Sequence, residues 1–100
     1  ASATPPFPAP TNLAASAVLS TEIGLSWKDN STDEKKFCIE RKTGSGGTYA
    51  EIERTSSNKT AYQDKKLAAN TTYYYRVRAV NKTGFYSDYS NEVNAKTKAK

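Results

Sequence analysis

The fifteen residues from Leu67 to Asn81, LAANTTYYYRVRAVN, change character halfway along. Leu67 is followed by alanines and then by Asn70, Thr71 and Thr72, residue types whose short polar side chains suit a turn. From Tyr73 onward the period is two. Tyr73, Tyr75, Val77 and Ala79 alternate with Tyr74, Arg76, Arg78 and Val80. Such alternation sends one row of side chains into a core and the other outward. A long strand over residues 72–81 is predicted, with Arg76 and Arg78 on its outer row.

The same period appears on both sides of this strand. Ile23, Leu25 and Trp27 alternate with Glu22, Gly24 and Ser26, and Phe37 and Ile39 with Lys36, Cys38 and Glu40. Val93 and Ala95 alternate with Glu92, Asn94 and Lys96. Turn clusters separate the runs: KDNSTDE, TGSGGT, SSNKT, AANTT and NKTG. No segment spaces its apolar residues for a helix over three turns. Seven strands are predicted, at 12–17, 20–28, 36–42, 48–53, 60–64, 72–81 and 90–97. Short strands at regular spacing with polar turns read as an all-β antiparallel sandwich or barrel. No internal repeat is evident.

All four prolines, Pro5, Pro6, Pro8 and Pro10, fall in the first ten residues. Proline lacks a donor and fixes its own φ, so this segment is neither helix nor interior strand. It reads as a semi-rigid linker over residues 1–9, leading into one domain at 10–97 with a tail at 98–100. The linker would tether a preceding domain. No apolar run approaches the roughly 20 residues that cross a bilayer, and residues 1–20 lack the pattern of a signal peptide.

The formal charge is +5, but Lys96, Lys98 and Lys100 cluster at the end. Without them twelve basic residues stand against ten acidic, a balance of +2. Lys35-Lys36 and Lys65-Lys66 sit in turn-like segments, so the basic face of a nucleic-acid binder is not expected. Histidine is absent and Cys38 is the single cysteine. An intrachain disulfide and a Cys/His zinc site are therefore excluded, and the fold must stand on its core. Cys38 alternates outward and reads as an inert, partly covered thiol. A chain without disulfides suits bacterial export better than a disulfide-dense scaffold.

With these features assembled, residues 10 to 97 resemble a fibronectin type III domain. Pro10 and Leu13 open the first strand, IGLSW carries Trp27, and FCIERK forms the third strand. TAYQD precedes Leu67, LAANTTYYYRVRAVN follows, and after a glycine a closing strand ends at Thr97. The resemblance implies a seven-stranded antiparallel immunoglobulin-like β-sandwich. It implies a tyrosine corner formed by Leu67 and Tyr73, the phenol bonding back to nearby backbone between Leu67 and Asn70. Trp27, Leu67, Tyr73, Tyr75 and Val77 are the expected structural core. The Arg-Gly-Asp tripeptide that some family members carry between the last two strands is absent here, so integrin binding by that route is not implied.

Near the end, Gly84 to Ser90 read GFYSDYS. The pattern Tyr-Ser-x-Tyr-Ser resembles the Trp-Ser-x-Trp-Ser box of cytokine-receptor members of the same fold, where aromatics interleave with arginines. Arg76 and Arg78 supply such partners, and Glu40 is placed to pair with one of them across the sheet. A Tyr/Arg ladder of Arg76, Arg78, Tyr86 and Tyr89, with Phe85 beside it, is the favoured reading. The alternative is that Phe85, Tyr86 and Tyr89 contact a protein or a glycan.

Other chemistry is sparse. DNSTDE, from Asp29 to Glu34, lacks the glycine and distant glutamate of a calcium loop. The remaining acids are scattered rather than paired for glycoside hydrolysis. No catalytic, metal or cofactor-binding residue is therefore assigned. Asn30, Asn58, Asn70 and Asn81 occupy N-x-S/T triplets, which serve as glycan acceptors in a eukaryotic secretory pathway and equally as turn residues. The expected function is a non-catalytic extracellular module, monomeric in isolation, that spaces or positions neighbouring domains of its own polypeptide. It resembles modules of secreted bacterial polysaccharide-degrading enzymes and surface proteins. No contact with nucleic acid or membrane is expected. The alternative is a recognition or adhesion module binding through its loops or the GFYSDYS face.

Overall fold

The computed structural model describes residues 9–30, 34–56, 59–81, 84 and 86–99. Seven strands run in chain order: β1 Thr11–Leu19, β2 Glu22–Lys28, β3 Glu34–Thr43, β4 Ala50–Ser56, β5 Ala61–Asp64, β6 Thr72–Asn81 and β7 Val93–Lys96. They form two antiparallel sheets, β1-β2-β5 and β4-β3-β6-β7. No helix occurs among the described residues.

The alternation read from the sequence sets the core. Leu13, Ile23, Leu25 and Trp27 from one sheet meet Phe37, Ile39, Tyr73, Tyr75, Val77 and Ala79 from the other, with Leu67 closing one end. Trp27 and Phe37 pack edge to face, their centroids 5.5 Å apart. Large aromatic residues in such positions contribute about 3–5 kcal/mol each against truncation to alanine. The indole Nε1 of Trp27 is buried without a hydrogen-bond partner among the described residues.

The loop before β6 is tied at three points. The Ala68 N–H donates to the Tyr73 hydroxyl at 3.0 Å. Thr97 Oγ1 donates to the Ala68 carbonyl at 2.6 Å and accepts from the Thr71 N–H at 3.0 Å. Asn70 adopts φ 56°, a left-handed conformation that asparagine tolerates better than most residues. On the opposite flank, Asn91 bonds both the N–H and the carbonyl of Leu13 at 3.0 Å and so substitutes a side chain for a missing strand pair between the sheets.

Several boundaries differ from those predicted. Lys35-Lys36, read as turn-like, lie inside β3, because β6 is long enough to pair as far as Glu34 through its Asn81. β4 sits two or three residues later than 48–53, because the β3–β4 turn extends through Gly47, where a Cβ would stand 2.5 Å from the Thr43 carbonyl oxygen. The closing strand is 93–96 rather than 90–97. Its first part is replaced by a different pairing. Ser87 and Ser90 donate their N–H groups to the carbonyls of Ala79 and Val77 at 2.9 and 2.7 Å. Their hydroxyls accept from the N–H groups of the same two residues at 2.9 and 3.0 Å. Three residues thus advance along two residues of β6, a step no regular ladder permits.

Candidate functional site

The outer face of the four-stranded sheet carries a dense cluster of charged and aromatic side chains. Register fixes its rows. Across β3 and β6, Cys38 faces Arg78, Glu40 faces Arg76 and Lys42 faces Tyr74. Cys38 also faces Arg54 on β4. The serine-anchored segment then lays Tyr86 and Tyr89 over the β6 arginines. Gly84 opens that segment at φ 91°, a backbone conformation that side chains rarely permit.

The result is a run of alternating cations and rings. The Arg54 guanidinium carbon lies 5.8 Å from the Tyr86 centroid, and Arg78 lies 3.8 Å from Tyr86 and 4.7 Å from Tyr89. Arg76 follows at 3.9 Å from Tyr89 and 4.1 Å from Tyr49. Lys42 ends the run, its Nζ 5.0 Å from Tyr49 and 5.1 Å from Tyr74. All of these distances lie within cation–π range.

Carboxylates lock the run from beneath and from the side. Glu40, only 8% exposed, receives Nε and Nη2 of Arg76 on Oε1, both at 2.8 Å. Its Oε2 accepts the Tyr89 hydroxyl at 2.8 Å and has Arg78 Nη2 at 3.9 Å. The Tyr49 hydroxyl donates to Glu92, whose carboxylate also lies 4.0 Å from Lys42 Nζ. Arg54 donates to Glu51 at 3.0 Å and to the Tyr86 hydroxyl at 2.8 Å. Burial pushes the Tyr89 and Tyr49 phenols above the usual tyrosine range, and donation to Glu40 and Glu92 adds to it. Under this layer Cys38 is fully buried rather than partly covered. Its thiol is pushed up by burial, against the opposing pull of the Arg54 charge.

The expected members therefore come together: Arg76, Arg78, Tyr86 and Tyr89 share one face, and Glu40 reaches both arginines. Phe85 lies outside the described residues, as does Asn58. Tyr49, Lys42, Tyr74, Arg54 and Glu92 join the run without having been foreseen. Among the N-x-S/T triplets, Asn30 spends its amide on the Ala9 carbonyl and Thr11 Oγ1, at 3.0 and 2.7 Å.

A second polar cluster bridges the sheets inside the sandwich. Asp64 on β5 accepts Arg41 Nη1 of β3 on both oxygens, at 3.0 and 2.9 Å. It also accepts the hydroxyl of buried Tyr75 at 2.6 Å. The Arg41 guanidinium lies 5.5 Å from the Tyr73 ring. Its chemistry is saturated: every group is a partner of another. Among the described residues no cluster of three or more acidic, histidine or cysteine side chains could hold a metal ion. Nor, among the described residues, is any helix long and apolar enough to cross a membrane.

Comparison with known proteins fits this architecture. The family model for the fibronectin type III domain matches residues 8–96. A poly(3-hydroxybutyrate) depolymerase of Ralstonia pickettii is 38% identical over 92 residues, a match covering 91% of this chain and 17% of that enzyme. The structure of an Fn3-like protein from Clostridium thermocellum superposes with a TM-score of 0.76 at 30% identity, covering 98% of this chain and 99% of that one. A β-1,2-glucanase from Parabacteroides distasonis contains a similar region, with a TM-score of 0.80, 26% identity, and coverage of 99% of this chain and 14% of the glucanase. The chain thus corresponds to a small part of two much longer enzymes, and it belongs to the fibronectin type III domain family.

Proposed function

We propose that this domain is a non-catalytic module of a secreted, multidomain polymer-degrading protein, where it spaces and orients its neighbours outside the cell. The observation that carries the reading is the saturation of its aromatic face. Tyr86, Tyr89 and Tyr49 each have two cations over the ring, and each hydroxyl is engaged within the chain. A ring so engaged has little to offer a sugar. In this role the Tyr/Arg ladder is a clamp that stiffens the sheet and pins residues 86–90 to β6. Stiffness is what a spacer needs. The small share of the depolymerase and of the glucanase that this chain matches supports a modular setting. Residues 1–9 serve in this reading as the proline-rich tether on the amino-terminal side.

The test is titration of the isolated domain against soluble glucans and xylans and against poly(3-hydroxybutyrate) granules, with hydrolysis assayed alongside. The expected result is no turnover and no saturable binding tighter than about millimolar, since the rings a sugar would stack on are already covered by guanidinium groups. Tyr86 is 36% exposed and is the residue through which a recognition module would act. Micromolar binding lost on Tyr86→Ala or Tyr89→Ala would replace the spacer with a recognition module.

A further inference from the structure

The outer edge of β5 offers a second surface, independent of the ladder and of the spacer reading. β5 ends its sheet, with β2 as its single neighbour. The Trp27 N–H donates to the Thr60 carbonyl at 3.0 Å, and Leu25 and Ile23 pair with Tyr62 and Asp64. In an antiparallel pair these bonded positions recur every second residue. The main-chain groups of Tyr62 and Asp64 therefore face β2, while those of Ala61 and Gln63 face away from it. Beside them runs an open groove of about 570 Å³, lined by Leu25, Lys59, Ala61, Tyr62, Gln63 and Lys65.

Charge sets what could lie there. Arg41, Lys42, Arg54, Arg76 and Arg78 are all within reach of carboxylates. Lys59 and Lys65, both exposed, have no ion pair among the described residues. Asp64, between them, is turned inward and spent on Arg41 and Tyr75. The groove is thus flanked by two cations without an ion pair, six residues apart, roughly 20 Å along an extended chain. Glu53, the other acidic group whose charge reaches Tyr62, accepts the Arg54 N–H. Lysines on an edge strand also oppose self-pairing. A second copy joined antiparallel through Ala61 and Gln63 would set Lys59 directly opposite Lys65, a destabilising like-charge pair.

We propose that the β5 edge binds an extended, acidic polypeptide segment of a partner protein, which adds a fourth strand to the β1-β2-β5 sheet. Main-chain bonds to Ala61 and Gln63 would hold the strand, and carboxylates six residues apart on it would meet Lys59 and Lys65. Apolar side chains between them would lie over Leu25 and Tyr62.

The test uses a fluorescein-labelled nine-residue peptide with glutamates six residues apart and threonine alternating with valine between them. A control carries lysine for glutamate. The glutamate peptide should bind saturably, at least tenfold tighter than the control, and more weakly as salt rises. It should slow amide exchange at Ala61 and Gln63. The double variant Lys59→Glu/Lys65→Glu should reverse the preference between the two peptides. Gln63→Pro, which removes an outward N–H at a position where an edge strand tolerates proline, should weaken both by tenfold or more. Absence of saturation, binding indifferent to the charge reversal, protection confined to another strand, or dimerisation of the domain through β5 would each overturn the proposal.

Discussion

The Tyr75 hydroxyl donates to Asp64 Oδ2 across 2.6 Å and so joins β6 of one sheet to β5 of the other. Both side chains are buried, and Arg41 completes the neutralisation of the carboxylate. Tyr75→Phe removes the donor while leaving the ion pair, and should lower stability by about 1–3 kcal/mol. Asp64→Ala strands two partners at once and should cost more. It should fall short of the about 3–5 kcal/mol of a fully buried broken pair, because the part-exposed Arg41 can rehydrate. Urea midpoints at pH 7 rank the two variants. Equal midpoints for wild type and Tyr75→Phe would show that the hydroxyl contributes nothing.

The corner between β5 and β6 gives a second measurement. Tyr73 accepts the Ala68 N–H, and Leu67 is buried beside it. Tyr73→Phe keeps the ring in the core and deletes only the acceptor, leaving a loop N–H unpaired. The expected loss is about 1–3 kcal/mol, near the lower end because Ala68 is exposed and its N–H can reach water. An unchanged denaturant midpoint would remove the corner from the list of stabilising contacts.

How far the sequence foretold these features depended on whether a residue sat on a regular strand. Parity alone put Tyr73, Tyr75, Val77 and Ala79 inward and Arg76 and Arg78 outward, and the resemblance of Tyr-Ser-x-Tyr-Ser to the Trp-Ser-x-Trp-Ser box set Tyr86 and Tyr89 against the arginines. Tyr49 escaped because the predicted fourth strand starts at 48, whereas β4 begins at Ala50 and leaves Tyr49 just ahead of it, where no alternation orients it. A β-bulge between Ile39 and Glu40 also shifts the β3–β4 register, so neighbours across those strands could not be counted off. Arg41 and Asp64 carried a usable signal, since both fall on inward parity. An inward charge at a strand end is easily read as the strand stopping, and only the three-dimensional meeting of the two shows otherwise. The early end of strand pairing at Ser87 and Ser90 has a different cause: hydroxyls replaced carbonyls, a substitution that periodicity does not register.

Alkaline titration should destabilise the domain in a definite order. Tyr75 is raised above the ordinary tyrosine value by burial and by its bond to Asp64, and Tyr89 and Tyr49 are raised for parallel reasons. Cys38 is raised by burial as well. A group whose native pKa exceeds its unfolded value keeps its full contribution below the unfolded pKa, and loses it as pH climbs toward the native one. Stability should therefore hold level from about pH 6.5 to 7.5, begin to fall as the unfolded thiol ionises at about 8.5, and steepen above about 10 with the tyrosines. Urea midpoints across pH 7–11 are the readout. In Tyr75→Phe the fall above pH 10 should be shallower, and an identical slope would remove Tyr75 from the linkage.

Cys38 provides a built-in reporter of the ladder. Its thiol is fully buried, with Arg54 and Arg78 as its cross-strand neighbours. Ellman's reagent at pH 8 should label the urea-unfolded chain within the mixing time and the native domain far more slowly, through opening of this face. Arg54→Ala, which uncovers the β4 side, should speed native labelling several-fold with little change in global stability, because the side chain it removes is exposed. A labelling rate that tracks only global unfolding would mean the ladder does not open independently.

The most exacting question is whether Arg76, Tyr89 and Glu40 act as one unit. Arg76 lies 3.9 Å from the Tyr89 centroid, and both residues bond the same carboxylate. Two contributions are therefore shared: the stacking of guanidinium on ring, and the common neutralisation of buried Glu40. Arg76→Ala and Tyr89→Ala should each destabilise, and the double variant should lose less than the sum, since a contact can be removed only once. The stacking part is about 0.5–1 kcal/mol for a pair near the surface. That shared contact sets the expected coupling at no less than about 0.5 kcal/mol. Glu40→Gln separates the two contributions. It keeps the shape and weakens the charge, so the residual coupling in that background reports the stacking alone. Additive losses in the wild-type background would mean that ring and guanidinium are neighbours without being partners, and Tyr89 would then be free to serve a ligand.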